Sequence, residues 1–136
     1  MQRVLVDTGA IYAFVTRTDE HHQEAVAFVK DFVTGGGAFV LPDVVFSETM
    51  TLLKARISAE IALQTGRVLR ENPAYQWIWL DRDGEQDTWA VFQRYADKEW
   101  SYTDCAQLVL ARRLNIRQIF AFDDHFDQMP GLVRVP

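Results

Sequence analysis

Arg3-Val4-Leu5-Val6-Asp7-Thr8-Gly9-Ala10 places three consecutive apolar residues before a carboxylate and a run of small residues. An apolar run without polar alternation suits a strand covered on both faces, the usual environment of a parallel sheet between two helical layers. Thr8-Gly9-Ala10 then reads as a tight strand-to-helix turn with Thr8 as its cap, and Ile11, Phe14 and Val15 share one face of the helix that follows. The same grammar returns at Ile119-Phe120-Ala121-Phe122-Asp123, another apolar run closed by an aspartate. Both runs predict buried parallel strands whose carboxyl ends open into one crevice.

Working outward from residues 3–7, the spacing of Ala25, Phe28, Val29 and Phe32 predicts an amphipathic helix over 21–33, stopped by Gly35-Gly36-Gly37. A second strand covers 38–41, and Pro42-Asp43 starts a helix over 44–56. Ser58 is the expected N-cap of a helix over 58–70, which Asn72-Pro73 breaks. Residues 76–80 form a third strand with Trp77 and Trp79 on one face and Ile78 and Leu80 on the other. Helices over 83–97 and 103–114, a fourth strand over 118–122 and a short fifth over 132–135 complete the pattern. Strands alternating with helices throughout predict an α/β three-layer sandwich, with a mainly parallel central sheet flanked by helices, as one domain over residues 1–136.

The 136 residues are 49% hydrophobic, enough for one sizeable core, and no repeat or low-complexity tract marks a linker. The formal net charge of −5 argues against a general nucleic-acid binder, which displays excess Lys and Arg. It leaves room for a nuclease, because two divalent ions in an acidic cluster would nearly neutralise it. Cys105 is the sole cysteine, so no intramolecular disulfide can form and a cytoplasmic location is expected. No secretory apolar segment is evident, and no apolar stretch approaches the roughly 18 residues of a membrane span, so no membrane association is expected.

Asp7, Glu48, Asp104 and Asp123 each fall where an apolar element gives way to a polar end. Four acids gathered at one sheet edge repel strongly, so such a cluster persists only if its members stay protonated or share divalent cations. Each acid also has a purely structural explanation. Ser101-x-x-Asp104 fits a capping box, and Asp7 and Asp123 fit ordinary caps after strands. Glu48 interrupts the apolar series Val44, Val45, Phe46, Met50, Leu52 and Leu53, where a partly buried acid needs a partner.

Taken as an ordered set, these pieces resemble the PIN-domain family, and within it the VapC-type toxin ribonucleases of bacterial toxin–antitoxin pairs. The matching segments are Val4-Leu5-Val6-Asp7-Thr8-Gly9-Ala10, His21-His22-Gln23-Glu24-Ala25, Leu41-Pro42-Asp43-Val44-Val45-Phe46-Ser47-Glu48-Thr49, Ser101-Tyr102-Thr103-Asp104-Cys105 and Ala121-Phe122-Asp123-Asp124-His125-Phe126. The likeness runs essentially from end to end. It implies a Mg²⁺- or Mn²⁺-dependent endoribonuclease whose metal ligands are Asp7, Glu48, Asp104 and Asp123, with Asp7 and Asp104 as the principal pair. Thr8, Ser101 and Thr103 would support them through hydrogen bonds. Asp123, which directly follows the strand, is the family-aligned acid, and Asp124 is expected to be exposed or to cap a helix. A hard divalent cation suits this chemistry because it prefers carboxylate oxygens, acidifies water and neutralises charge on phosphoryl oxygens. The resemblance further implies a homodimer, an RNA substrate and a cognate antitoxin whose C-terminal segment covers the acidic groove.

His21 and His22 point about 100° apart on a helix and are expected to be structural or surface residues. Arg56, Arg67, Arg70, Arg112, Arg113 and Arg117 form the pool for RNA contacts. Trp77, Trp79, Trp89 and Trp100 are expected in the core. Three other readings compete. Asp7-Thr8-Gly9 also resembles the turn of a retroviral-type aspartic protease, but that fold is nearly all β and the helical stripes here contradict it. A haloacid-dehalogenase-type phosphatase requires a second aspartate where this chain has Gly9. The remaining alternative is a catalytically inactive PIN-like module that binds RNA or protein.

Overall fold

The computed structural model describes all residues, Met1–Pro136. Five strands, β1 (Arg3–Val6), β2 (Ala38–Pro42), β3 (Tyr75–Ile78), β4 (Gln118–Phe120) and β5 (Val133–Val135), form one sheet in the order β3-β2-β1-β4-β5. Every pairing is parallel. The strand order reverses at β1, which lies between β2 and β4, so the crevice outside the carboxyl ends of β1 and β4 is the topological switch point of the sheet. Six α-helices supply the crossovers: α1 (Thr8–Val15), α2 (His22–Thr34), α3 (Asp43–Arg56), α4 (Ala59–Glu71), α5 (Arg82–Arg94) and α6 (Tyr102–Leu114), with a 3₁₀ turn over Asp124–Gln128.

The unbroken apolar runs are explained by two cores, one on each face of the sheet. Val4 and Val6 join Phe39, Leu41 and Phe120 beneath α1, α2 and α4. Leu5, Val40 and Ile119 point the other way, toward Cys105, Leu108 and Ala111 of α6. Successive strand side chains therefore alternate between two dry layers, and each fully buried Phe, Leu or Val contributes about 1.5–3 kcal/mol relative to exposure. The α2 helix ends on the glycine run, where Gly36 adopts φ 86°, a left-handed conformation that disfavours any side chain. No helix is long and apolar enough to cross a membrane.

Several boundaries and placements differ from the sequence reading. The third strand is Tyr75–Ile78, so Trp79 lies beyond its end. Only Trp100 of the four tryptophans is fully buried; Trp79 and Trp89 are 69% and 53% exposed, which corrects their assignment to the core. Trp89 lies on the outer face of α5, whose inner face is carried by Gly84 and Thr88. The fifth helix stops at Arg94 rather than residue 97 because Tyr95 leaves helical geometry and its N–H turns back to the carbonyls of Val91 and Gln93.

Candidate active site

Asp7 is the first residue beyond β1. Its N–H donates to the Phe120 carbonyl at 3.0 Å, and its side chain accepts from the Gly9 N–H at 3.3 Å. Asp7, not Thr8, is thus the cap of α1, since Thr8 is already inside the helix and buried, where its hydroxyl accepts from Thr49. The Asp7 side chain is only slightly exposed. Burial first, then the negative charges of Asp104 and Glu48, push its pKa up to about 7, against the opposing pull of the Gly9 and Thr8 N–H groups. A carboxyl in this position is half-protonated near neutral pH.

Asp104 enters from α6. Ser101 Oγ accepts from the Asp104 N–H at 3.0 Å, and Asp104 Oδ2 accepts from the Ser101 N–H at 2.9 Å, a complete capping box. The cap and the cluster are not exclusive. Asp104 is nearly buried, and its pKa is raised by that burial and by Asp123, while the Ser101 N–H and His125 pull it down. The chain therefore holds Asp104 in place through one oxygen, and Oδ1 has no partner within it.

Asp123 caps the 3₁₀ turn, its Oδ1 accepting from the His125 N–H at 2.9 Å. That turn folds the His125 ring back so that Nδ1 lies 3.3 Å from Asp123 Oδ1 and 3.4 Å from Asp104 Oδ2. His125 thus links the acid on β4's exit to the acid on α6. Sequence reasoning assigned it no role, although Asp123-Asp124-His125 stands directly after an apolar strand. One ligand atom from each of Asp123, Asp124 and His125 lies within 4.8 Å of the others. Asp124 is exposed, as expected. Arg134 of β5 fixes this corner from behind, gripping Asp127 with Nε and Nη2, each at 2.7 Å, and donating Nη1 to the Phe122 carbonyl at 2.7 Å.

Glu48 differs from its expected state. It is exposed on α3, not partly buried, and needs no partner for that reason; yet it is near enough to Asp7 to raise that carboxyl. Gln107 is a second residue that sequence reasoning missed. It is fully buried on α6, donates Nε2 to the Val6 carbonyl at 3.1 Å, and leaves Oε1 without a partner. The bond pins the peptide immediately before Asp7. A lone amide among Cys105, Ala106, Leu108 and Val109 was the available signal, because a buried amide must serve some polar group.

His21 and His22 take packing and hydrogen-bonding roles. His21 stacks on Phe122 with ring centroids 4.4 Å apart, and His22 Nδ1 lies 2.8 Å from the Ala13 carbonyl. Thr103 is half-buried beside the cap, and no hydrogen bond from its side chain reaches an acid.

Glu48 and Asp104 act on the charge of Asp7, and Asp104 meets Asp123 at His125, but the ligand atoms that lie within 4.8 Å of one another are those of Asp123, Asp124 and His125 rather than of Asp7, Glu48 and Asp104. Oxygen donors dominate, which is the donor set of a hard divalent cation, and the raised pKa of buried Asp7 is the direction expected of crowded carboxylates without a compensating charge. The residues fit such an ion.

A PIN-domain family model matches residues 4–132. The chain belongs to the PIN-domain family. It is 32% identical over 124 residues to a VapC ribonuclease of Archaeoglobus fulgidus, a match spanning 90% of this chain and 78% of that protein. Among solved PIN-like structures, VapC20 of Mycobacterium tuberculosis, a toxin that cleaves the sarcin–ricin loop, superposes with a TM-score of 0.85 at 21% identity, covering 95% of this chain and 96% of that one. VapBC2 of Rickettsia felis, bound to a DNA fragment from its promoter, gives a TM-score of 0.71 at 8% identity with 98% of each chain covered. At these identities the two structures establish the shared PIN fold, with its parallel sheet and flanking helices.

Proposed function

We propose that this PIN domain is a divalent-metal-dependent endoribonuclease, the toxin of a toxin–antitoxin pair, with Asp7, Glu48, Asp104 and Asp123 as the carboxylates that hold Mg²⁺ or Mn²⁺. The observation that carries the reading is the placement of Asp7, a buried carboxyl at the switch point of the sheet, tied by its N–H to the Phe120 carbonyl and close enough to Asp104 and Glu48 to be raised by their charge. Family membership and the ribonuclease name of the Archaeoglobus relative support RNA as the substrate. VapBC complexes among the fold neighbours support an antitoxin partner, and a homodimer is the assembly the family resemblance implies.

A bound divalent ion would supply Lewis-acid polarisation of a scissile phosphodiester and offset the charge that accumulates on it. The protein's own residues would do the rest. The backbone of Asp7 is anchored by its bond to Phe120, and its carboxyl is oriented by the Gly9 N–H. A cation held there would compete with the proton that this carboxyl, with a pKa raised to about 7, partly retains near neutral pH. The capping box fixes the position of Asp104, and His125 Nδ1 lies between Asp104 and Asp123, within hydrogen-bond reach of Asp104 Oδ2 at 3.4 Å.

Purified protein is expected to cleave a susceptible RNA in Mg²⁺ or Mn²⁺ and to stop in excess EDTA. Cleavage that follows the protein through purification and persists in chelator would reject the metal-dependent reading. Replacing His21 and His22 together with Gln is expected to keep single-turnover cleavage within about tenfold, or about 1.4 kcal/mol, because neither ring reaches the acids. A much larger loss in folded protein would place one of them in the site.

A further inference from the structure

At the carboxyl rim of the sheet, two strands away from β1, three rings and one guanidinium form a ledge. Phe46 and Trp77 pack with centroids 4.7 Å apart, and Arg70 lies over both, 5.5 Å from the Phe46 centroid and 5.2 Å from that of Trp77. Trp79 continues the ledge outward, 5.5 Å from Trp77, with 69% of its surface exposed. The buried Trp77 Nε1 has no acceptor. Leu80, next in the chain, donates its N–H to Asp43 Oδ1 at 2.8 Å, which ties the end of β3 to the start of α3, the helix that carries Glu48. Two strand spacings place the end of β3 roughly 10 Å from the end of β1, where Asp7 stands. The ledge and the acids share one rim.

Its charge is distinctive for a chain of net −5. The groove between α3 and α4 that borders the ledge is lined by Lys54, Arg67 and Arg70 and by no carboxylate. None of the three forms an ion pair, whereas Arg113 is committed to Asp81 and Asp87 and Arg134 to Asp127. The ledge therefore offers an exposed aromatic face beside uncompensated cations, the combination that binds unpaired nucleotides by stacking on bases and attracting phosphates.

We propose that Trp79, backed by Trp77 and Arg70, is a stacking platform for an unpaired RNA nucleotide flanking the one presented to the acids. This inference rests on the ribonuclease reading and adds a subsite to it. A stacked base at the ledge would hold the strand across the rim and keep its phosphate backbone against Arg70, so single-stranded or looped RNA is preferred to a duplex whose bases are already stacked.

The test uses the full chain carrying Asp104→Asn, so that RNA stays intact, with single-stranded oligouridylate and oligoadenylate as probes. Adding Trp79→Ala is expected to weaken binding of both probes about tenfold, and Trp79→Phe to restore most of it. Arg70→Gln is expected to weaken binding and reduce the salt slope by about one, with Arg70→Lys keeping the slope. Melting temperatures of the Trp79 variants should match their parent, since the ring is largely exposed. Unchanged RNA affinity in Trp79→Ala overturns the proposal. So does a loss of affinity that appears only together with dissociation of a dimer in sedimentation, which would assign the ledge to a second copy of the chain. The two readings fail separately: a wild type that binds these probes through Trp79 yet cleaves no RNA removes the ribonuclease assignment, and one that cleaves RNA independently of Trp79 removes only the platform.

Discussion

Asp104→Asn is expected to lower RNA cleavage by 100-fold or more, at least about 2.7 kcal/mol in the barrier, without lowering the stability of the metal-free protein. The reasoning starts from the two tasks Asp104 performs. As the N3 residue of a capping box it accepts the Ser101 N–H, and an asparagine Oδ1 can accept the same bond, so the loss at the cap stays under about 1 kcal/mol. As a nearly buried acid it carries a desolvation cost and repulsion from Asp123 and Asp7, both of which the neutral amide relieves. The two effects oppose each other, leaving the variant's stability unchanged or higher. Metal response then separates them from a purely structural role. Mg²⁺ at ten times its dissociation constant should stabilise the wild type by about 1.4 kcal/mol, and the variant should lose most of that increment. Thermal melts with and without Mg²⁺, paired with cleavage assays, decide the matter: an active variant with the full Mg²⁺ response sinks the metal-ligand assignment of Asp104.

The second large effect is a stability profile against pH. Asp7 has an ordinary carboxylate pKa near 3.8 when unfolded and a pKa of about 7 when folded. The folded protein therefore binds that proton more tightly, and the stability it contributes is fully present below about pH 4. As pH rises the unfolded chain releases the proton first, so metal-free protein should lose stability on the order of 4 kcal/mol by about pH 7, with little further change above it. Asp104, also raised, acts in the same direction. Asp81, held low by the Gly84 N–H and Arg113, and Asp127, held low by Arg134, act in the opposite sense and only on the acid side of the ordinary carboxylate range. Denaturant titrations in EDTA from pH 4 to 8 read the slope directly. Asp7→Asn is expected to flatten most of it, and saturating Mg²⁺ to restore wild-type stability at pH 7 and above. A flat wild-type profile would show that Asp7 ionises normally and that the acids are not crowded.

Much of this molecule is written in adjacent residues. Val4-Leu5-Val6 and Ile119-Phe120 determine buried parallel strands because a side chain alternating between two dry layers must be apolar at every position. Ser58 and the Ser101/Asp104 pair determine helix starts because a cap is satisfied within three or four residues. The order of the four acids, three of them at an element's end and Glu48 in the second turn of α3, was legible for the same reason, and with it the resemblance to PIN domains.

What only the tertiary structure decided are properties summed over elements distant in the chain. The Asp7 pKa is raised because the fold buries it at the end of β1 and brings Glu48 of α3 and Asp104 of α6 near it, neither of them its neighbour in sequence. His125 reaches Asp104, and Gln107 the Val6 carbonyl, only once α6 lies over the strand ends. Glu48, expected to be partly buried, and Trp79, expected in the core, are both exposed, because hydropathy states what a side chain gains by burial while the fold determines whether a neighbour is there to cover it.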